Sequence, residues 1–165
     1  MNDVYAYLSE RLSGFKRLAI LGVGSVLRAD DAAGMEIVQR MAERLAPERT
    51  DIRCFAGETA PENFSGSIKR YMPTHLLILD AADVGLMPGE FSDICPADVG
   101  GPSFLSHMLP IKMMVDYLVV ETGAEVTLLG IQYRTLQFDG PMSPEIEQAV
   151  EEVCAALEKV IRAQT

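Results

Sequence analysis

Nowhere in the 165 residues does an apolar run approach the roughly 18 that a membrane-spanning helix needs, so no membrane partner is expected. The opening stretch MNDVYAYLSERLSGFKR is charged throughout and lacks the apolar centre and small-residue cleavage site of a secretory signal. Both absences point to a cytoplasmic location. Cysteine is scarce: Cys54, Cys95 and Cys154 are widely spaced and form no C-x-x-C, which argues against a disulfide framework and a zinc ribbon. Basic residues are also few, 14 against 24 acidic ones, and the net charge of -10 repels a phosphate backbone. Nucleic acid is therefore not an expected partner; a cation, or a partner with a basic segment, suits that field better. Catalytic signatures are missing as well. No G-K-[ST] closes a phosphate loop, no G-x-S-x-G elbow carries a serine nucleophile, and no cysteine stands in a recognisable activating setting.

What the chain does contain is 48% hydrophobic residues, enough to bury a core at the usual size of one domain. No repeat, low-complexity tract or linker divides it, so residues 1–165 are expected to form a single domain with residues 1–16 as an N-terminal helical extension. A first helix is expected around Asp3 to Ser13. RLAILGVG is continuously apolar, as a strand buried on both faces reads. From Asp31 the period changes: Met35, Ile37, Val38, Met41 and Leu45 fall mainly on one helical face, and Pro47 ends the element.

DIRCF reads as the next strand, followed by Thr59 and Glu62 spaced as a capping box around Pro61, and by a helix to about Tyr71. HLLILD is a second fully apolar strand, expected to end at Asp80, and GEFSDICP alternates as an edge strand does. DVGGPSFLSH reads as a loop. LPIKMMVDYLVVETG has a helix with proline near its start and glycine at its end, EVTLLGIQ is a third strong strand, and Ser143 is expected to cap, and Pro144 to open, a long final helix. Alternating strands and helices imply an α/β fold: a three-layer α/β/α sandwich with a mostly parallel mixed sheet and one antiparallel edge strand. Ligand sites in such sheets lie at the carboxyl ends of the strands, near the point where strand order reverses.

That rule directs attention to Asp30 and Asp31 after the first core strand and to Asp80 after LLIL. Asp31 could simply cap a helix, but two adjacent acids need only one cap, so the other asks for a further role. Asp80 would be strongly desolvated at the end of an apolar strand unless it found a partner or a cation; a solvated turn is the alternative. Of the two histidines, His75 starts a strand at the far end of the sheet and reads as structural, whereas His107 follows a glycine-rich loop and precedes a helix, which it either caps or leaves free to reach the strand ends. Two carboxylates and an imidazole form a donor set suited to nickel, zinc or iron with open positions. Gly22 and Gly24 begin a dinucleotide-like G-x-G, but Leu27 replaces the third glycine and the aspartates would repel a pyrophosphate, so no organic cofactor is expected. Met108, Met113 and Met114 read as core, with a flexible wall for a partner's tail as the alternative.

Together GVGSVLRADDAAG, GETAPEN, LLILDAADVGLMPGE, SHMLPI and LLGIQ resemble the hydrogenase maturation endopeptidases, and most closely the branch that processes the large subunit of the formate-hydrogenlyase (hydrogenase 3) type. The five blocks are co-linear from about Leu18 to Val160. The resemblance implies a protease, often classed as aspartic-type, that cuts a C-terminal extension from the [NiFe]-hydrogenase large-subunit precursor after nickel insertion. It implies that Asp31, Asp80 and His107 recognise nickel supplied by that precursor, with Asp31 and Asp80 also serving the cleavage. Asp30 and Glu58 are left as cap or supporting residues. Ser25 stands where the family usually has asparagine, Ala32 where it has glycine, and Ala56 where many members place an acid that Glu58 could replace. A non-catalytic chaperone or quality-control module for the large subunit could use the same three side chains, and a small-molecule enzyme with a stored metal is a third reading.

Overall fold

The computed structural model describes residues 3–95 and 108–164. Its element order is helix α1 (Val4–Arg11), strand β1 (Leu18–Val23), helix α2 (Ala33–Arg44), strand β2 (Ile52–Glu58), helix α3 (Ser65–Tyr71), strands β3 (His75–Ala82) and β4 (Phe91–Asp93), helix α4 (Met108–Thr122), strand β5 (Glu125–Gln132) and helix α5 (Pro144–Ala163). Short 3-10 turns at Ala29–Ala32 and Pro61–Phe64 lead into α2 and α3. The sheet has five strands in the order β2-β1-β3-β5-β4. The first four of these are parallel, and β4 pairs antiparallel on the edge of β5. The expected α/β architecture, including the antiparallel edge strand, is the one observed.

Alternation along the strands sorts the core into two layers. Leu18 and Ile20 of β1, Leu77 and Leu79 of β3, and Leu129 and Ile131 of β5 pack with α1, α2 and α5. Ala19, Leu21 and Val23, with Leu76, Ile78 and Leu128, pack on the other face with α3 and α4. Because both faces are covered, the interior strands β1 and β3 carry no polar alternation, which is why LAILGV and HLLIL read as unbroken apolar runs, whereas β2 on the sheet edge alternates buried and exposed positions. The N-terminal helix belongs to the first layer: Leu8 and Leu12 are fully buried there, each contributing about 1.5–3 kcal/mol by leaving water. Tyr7 Oη donates to Asp93 Oδ1 at 2.8 Å and ties α1 to β4.

Three local expectations need correction. Strand β3 does not end at Asp80; the ladder to β5 continues through Asp80↔Gly130 to Ala82↔Gln132, because pairing with a parallel neighbour persists past the end of the apolar run. Thr59 and Glu62 form no capping box. The turn at Pro61–Phe64 has Ala60 as its N-cap residue without a side-chain cap, and the Ala60 carbonyl takes the Asn63 amide at 3.1 Å. Ser143 occupies the N-cap position of α5, but its hydroxyl caps nothing in the helix; it is drawn to Asp30 instead. The methionine reading divides, since Met114 is buried in the α3–α4 layer while Met113 is 65% exposed. The expected loop DVGGPSFLSH, with His107, lies outside the described residues.

Candidate active site

Strand order reverses between β1 and β3: the chain leaves β1 toward β2 on one side and returns to place β3 on the other. Above that point the two carboxyl ends diverge, and a cleft of about 450 Å³ opens between them. Asp31, Glu58, Asp80, Ile111 and Tyr133 are among its lining residues.

Two glycines let helix α2 sit close enough to build this crevice. A Cβ on Gly34 would lie 2.2 Å from the Leu79 carbonyl oxygen and 2.6 Å from that of Val23, so no larger residue fits between the helix and the two strands. Gly24 turns the chain out of β1 with φ +126, and a Cβ there would lie 1.9 Å from the Asp31 carbonyl oxygen. The residues between then form the 3-10 turn, in which Asp31 Oδ2 accepts the Ser25 amide at 2.8 Å. Asp31 is therefore not the cap of α2, whose N-cap residue is Ala32 with no side-chain hydrogen bond.

Asp80 enters from β3, on the same strand face as Leu76 and Ile78, and is 1% exposed. Its Oδ2 is buried with no hydrogen-bond partner among the described residues. Burial first, and then the nearby Asp31 carboxylate, push its acid up to about 7, against the lowering influence of the Ala81 amide. A buried acid with an unengaged oxygen beside a second acid is a place where a cation is electrostatically favoured. Both oxygens are hard donors of the kind that bind borderline divalent metals together with imidazole. Among the described residues no group of three or more His, Cys, Asp or Glu side chains is arranged to hold a metal ion; the carboxylate pair is what they supply.

The remaining candidates take distinct places. Asp30 is fully buried and caps no helix, correcting one of its two expected roles; its oxygens face backbone and hydroxyl donors from the connection between β5 and α5. Glu58 reaches the cleft because the β1–β2 register slips between Gly22 and Val23, leaving Glu58 opposite Val23. It adopts φ +54, a left-handed conformation unusual for a residue with a side chain, and its amide donates to Met35 Sδ at 3.3 Å. Ala56 is exposed. His75 is buried at the opposite end of the sheet, with Nδ1 3.1 Å from Thr74 Oγ1. Tyr133 and Ile111, which sequence reasoning did not single out, line the cleft on the β5 and α4 sides. Nothing in their local sequence distinguishes them from core residues.

The family profile described as hydrogenase maturation protease matches residues 35–160. The hydrogenase 3 maturation protease of Escherichia coli strain K12 is 38% identical over 84% of this chain and 87% of its own length. Among solved structures, the [NiFe] hydrogenase maturation protease HycI from Thermococcus kodakarensis superposes with a TM-score of 0.87 at 26% identity, covering 94% of this chain and 99% of that one. A crystal structure of hydrogenase 3 maturation protease does so with a TM-score of 0.73 at 34% identity, covering 84% and 87%. No described helix is long and apolar enough to cross a membrane. With the fold, the switch-point cleft and both kinds of comparison agreeing, the chain belongs to the hydrogenase maturation proteases and is an endopeptidase of hydrogenase maturation.

Proposed function

We propose that this endopeptidase removes the C-terminal extension of a [NiFe]-hydrogenase large-subunit precursor once nickel is in place, and that Asp31, Asp80 and His107 recognise the nickel the precursor carries. The observation supporting this reading is Asp80: a carboxylate 1% exposed, with an oxygen left without a donor, facing the same cleft as Asp31. Folding such a group without a permanent partner is costly, and that cost is relieved when a cation docks.

With its acid near 7, Asp80 is partly protonated at neutral pH, and an arriving metal displaces that proton because the ionised form is then stabilised. Coupling between metal occupancy and the site's protonation makes the nickel-loaded precursor the preferred substrate. The docked centre holds the scissile bond in the cleft, and its charge acidifies a neighbouring water. The water oxygen bonds to the scissile carbonyl carbon, the carboxylate pair takes up the proton released, the C–N bond breaks, and the proton passes to the departing amine.

Incubating the protein with nickel-loaded large-subunit precursor and weighing the products tests this. Loss of a C-terminal peptide with wild-type protein, and its absence with Asp80→Asn and with His107→Ala, is expected. Complex formation without a change in mass, or wild-type cleavage rates in either variant, would refute the proposal.

A further inference from the structure

Asp30 is 0% exposed, yet it makes no contribution to the cleft lining. Its carboxylate accepts four hydrogen bonds: the Ser143 amide at 2.6 Å on Oδ1, and the Ser143 hydroxyl at 3.0 Å, the Arg134 amide at 2.8 Å and the Thr135 amide at 2.9 Å on Oδ2. Its own amide donates to the Thr135 carbonyl at 3.3 Å. All of these partners lie in the connection between β5 and α5, more than a hundred residues away in the chain. A salt bridge from Arg134 to Glu145 in the first turn of α5 closes the same connection from outside.

Two cleft-lining parts meet at this clasp. One is the 3-10 turn, where Asp30 immediately precedes Asp31; the other is the segment whose Arg134 and Thr135 amides bond Asp30 and whose neighbours Tyr133 and Leu136 also line the cleft. We propose that Asp30 is a positioning residue of the active site: by clasping residues 134, 135 and 143 it fixes the turn that presents Asp31 relative to the wall formed by Tyr133 and Leu136. This rests on the proposed role of Asp31 in cleavage. A carboxyl side chain suits the task because its two oxygens can take every one of these donors at once. Asparagine matches its shape but turns an NH₂ toward one of them.

The test uses Asp30→Asn and Ser143→Ala, with Asp31→Asn run in parallel, in steady-state cleavage of nickel-loaded precursor and in hydrogen exchange at the Ser25 amide, which reports the Ser25-to-Asp31 bond without touching Asp30. For Asp30→Asn, kcat is expected to fall about 10- to 100-fold with little change in KM, as is usual when the support of a ligating residue is removed. Ser143→Ala, which keeps all three backbone donors, falls less, and Ser143→Thr restores the parental rate. The Ser25 amide exchanges faster in Asp30→Asn and Ser143→Ala while amides of the α5 interior keep parental protection. A general loss of stability would move both sets together, and that outcome overturns the proposal. So do folded variants with parental kcat and an unchanged Ser25 amide; if Asp30→Asn does not fold, Ser143→Ala alone decides. Wild-type cleavage by Asp31→Asn would instead defeat the underlying reading of Asp31, whereas an inactive Asp31→Asn beside fully active Asp30→Asn and Ser143→Ala defeats only the role given to Asp30.

Discussion

Replacing Asp80 by asparagine is expected to stabilise the protein while disabling it, with a pH dependence that identifies the cause. The rise of the Asp80 acid from its ordinary 3.8 to about 7 corresponds, at about 1.4 kcal/mol per pH unit, to about 4 kcal/mol spent on ionising it in the folded state. Between those two values the folded chain keeps a proton that the unfolded chain has released, so stability falls as pH rises through the window from about 4 to about 7. Asparagine removes the ionisation but leaves a buried amide short of partners, which returns about 1–2 kcal/mol of the gain. The net expectation at pH 8 is a variant more stable by about 2–3 kcal/mol, or roughly 5–10 °C in melting temperature for a chain of this size. At pH 4 the advantage disappears and the unsatisfied amide leaves the variant equal or slightly worse. Urea unfolding of parent and variant at several pH values from 4 to 8 measures this directly. A stability difference that does not change with pH, or a variant less stable than the parent at pH 8, would show that the Asp80 environment has been misread.

Gly34→Ala should destabilise by about 3 kcal/mol or more in urea unfolding, because its Cβ meets backbone carbonyl oxygens of both β1 and β3 at 2.6 and 2.2 Å and neither strand can yield. Glu58→Gly should stabilise slightly, by about 0.5–1 kcal/mol, since the left-handed φ of +54 then carries no side-chain penalty; an equal or lower melting temperature would contradict this. Under iodoacetamide at pH 8, exposed Cys95 should be alkylated well before Cys54 and Cys154, whose thiols burial pushes up to about 11; peptide mass mapping over time gives the order.

Much of the architecture was legible because burial on both faces writes itself as composition. LAILGV and HLLIL announce interior parallel strands, and the glycine and proline punctuation of LPIKMMVDYLVVETG and SPEIEQAV announces helices α4 and α5. Asp31 and Asp80 were legible as a pair for a related reason: an acid against an apolar strand demands an explanation. The Thr59–Glu62 spacing misled because a capping box specifies a local option, which the backbone of Ala60 and Pro61 declined in favour of a 3-10 turn.

The split between the adjacent aspartates shows where sequence stops. By itself the chain determined that two acids follow a buried strand and that they put negative charge where a dinucleotide loop would place its phosphates, since composition and spacing settle charge. Only the tertiary structure decided that Asp30 turns inward. Its partners at 134, 135 and 143 come within hydrogen-bond distance solely because β5 pairs with β3 and α5 packs back on α2. Asp80 is likewise an acid in the sequence and a desolvated one in the fold, because its environment is assembled from strands that are neighbours in space and strangers in the chain.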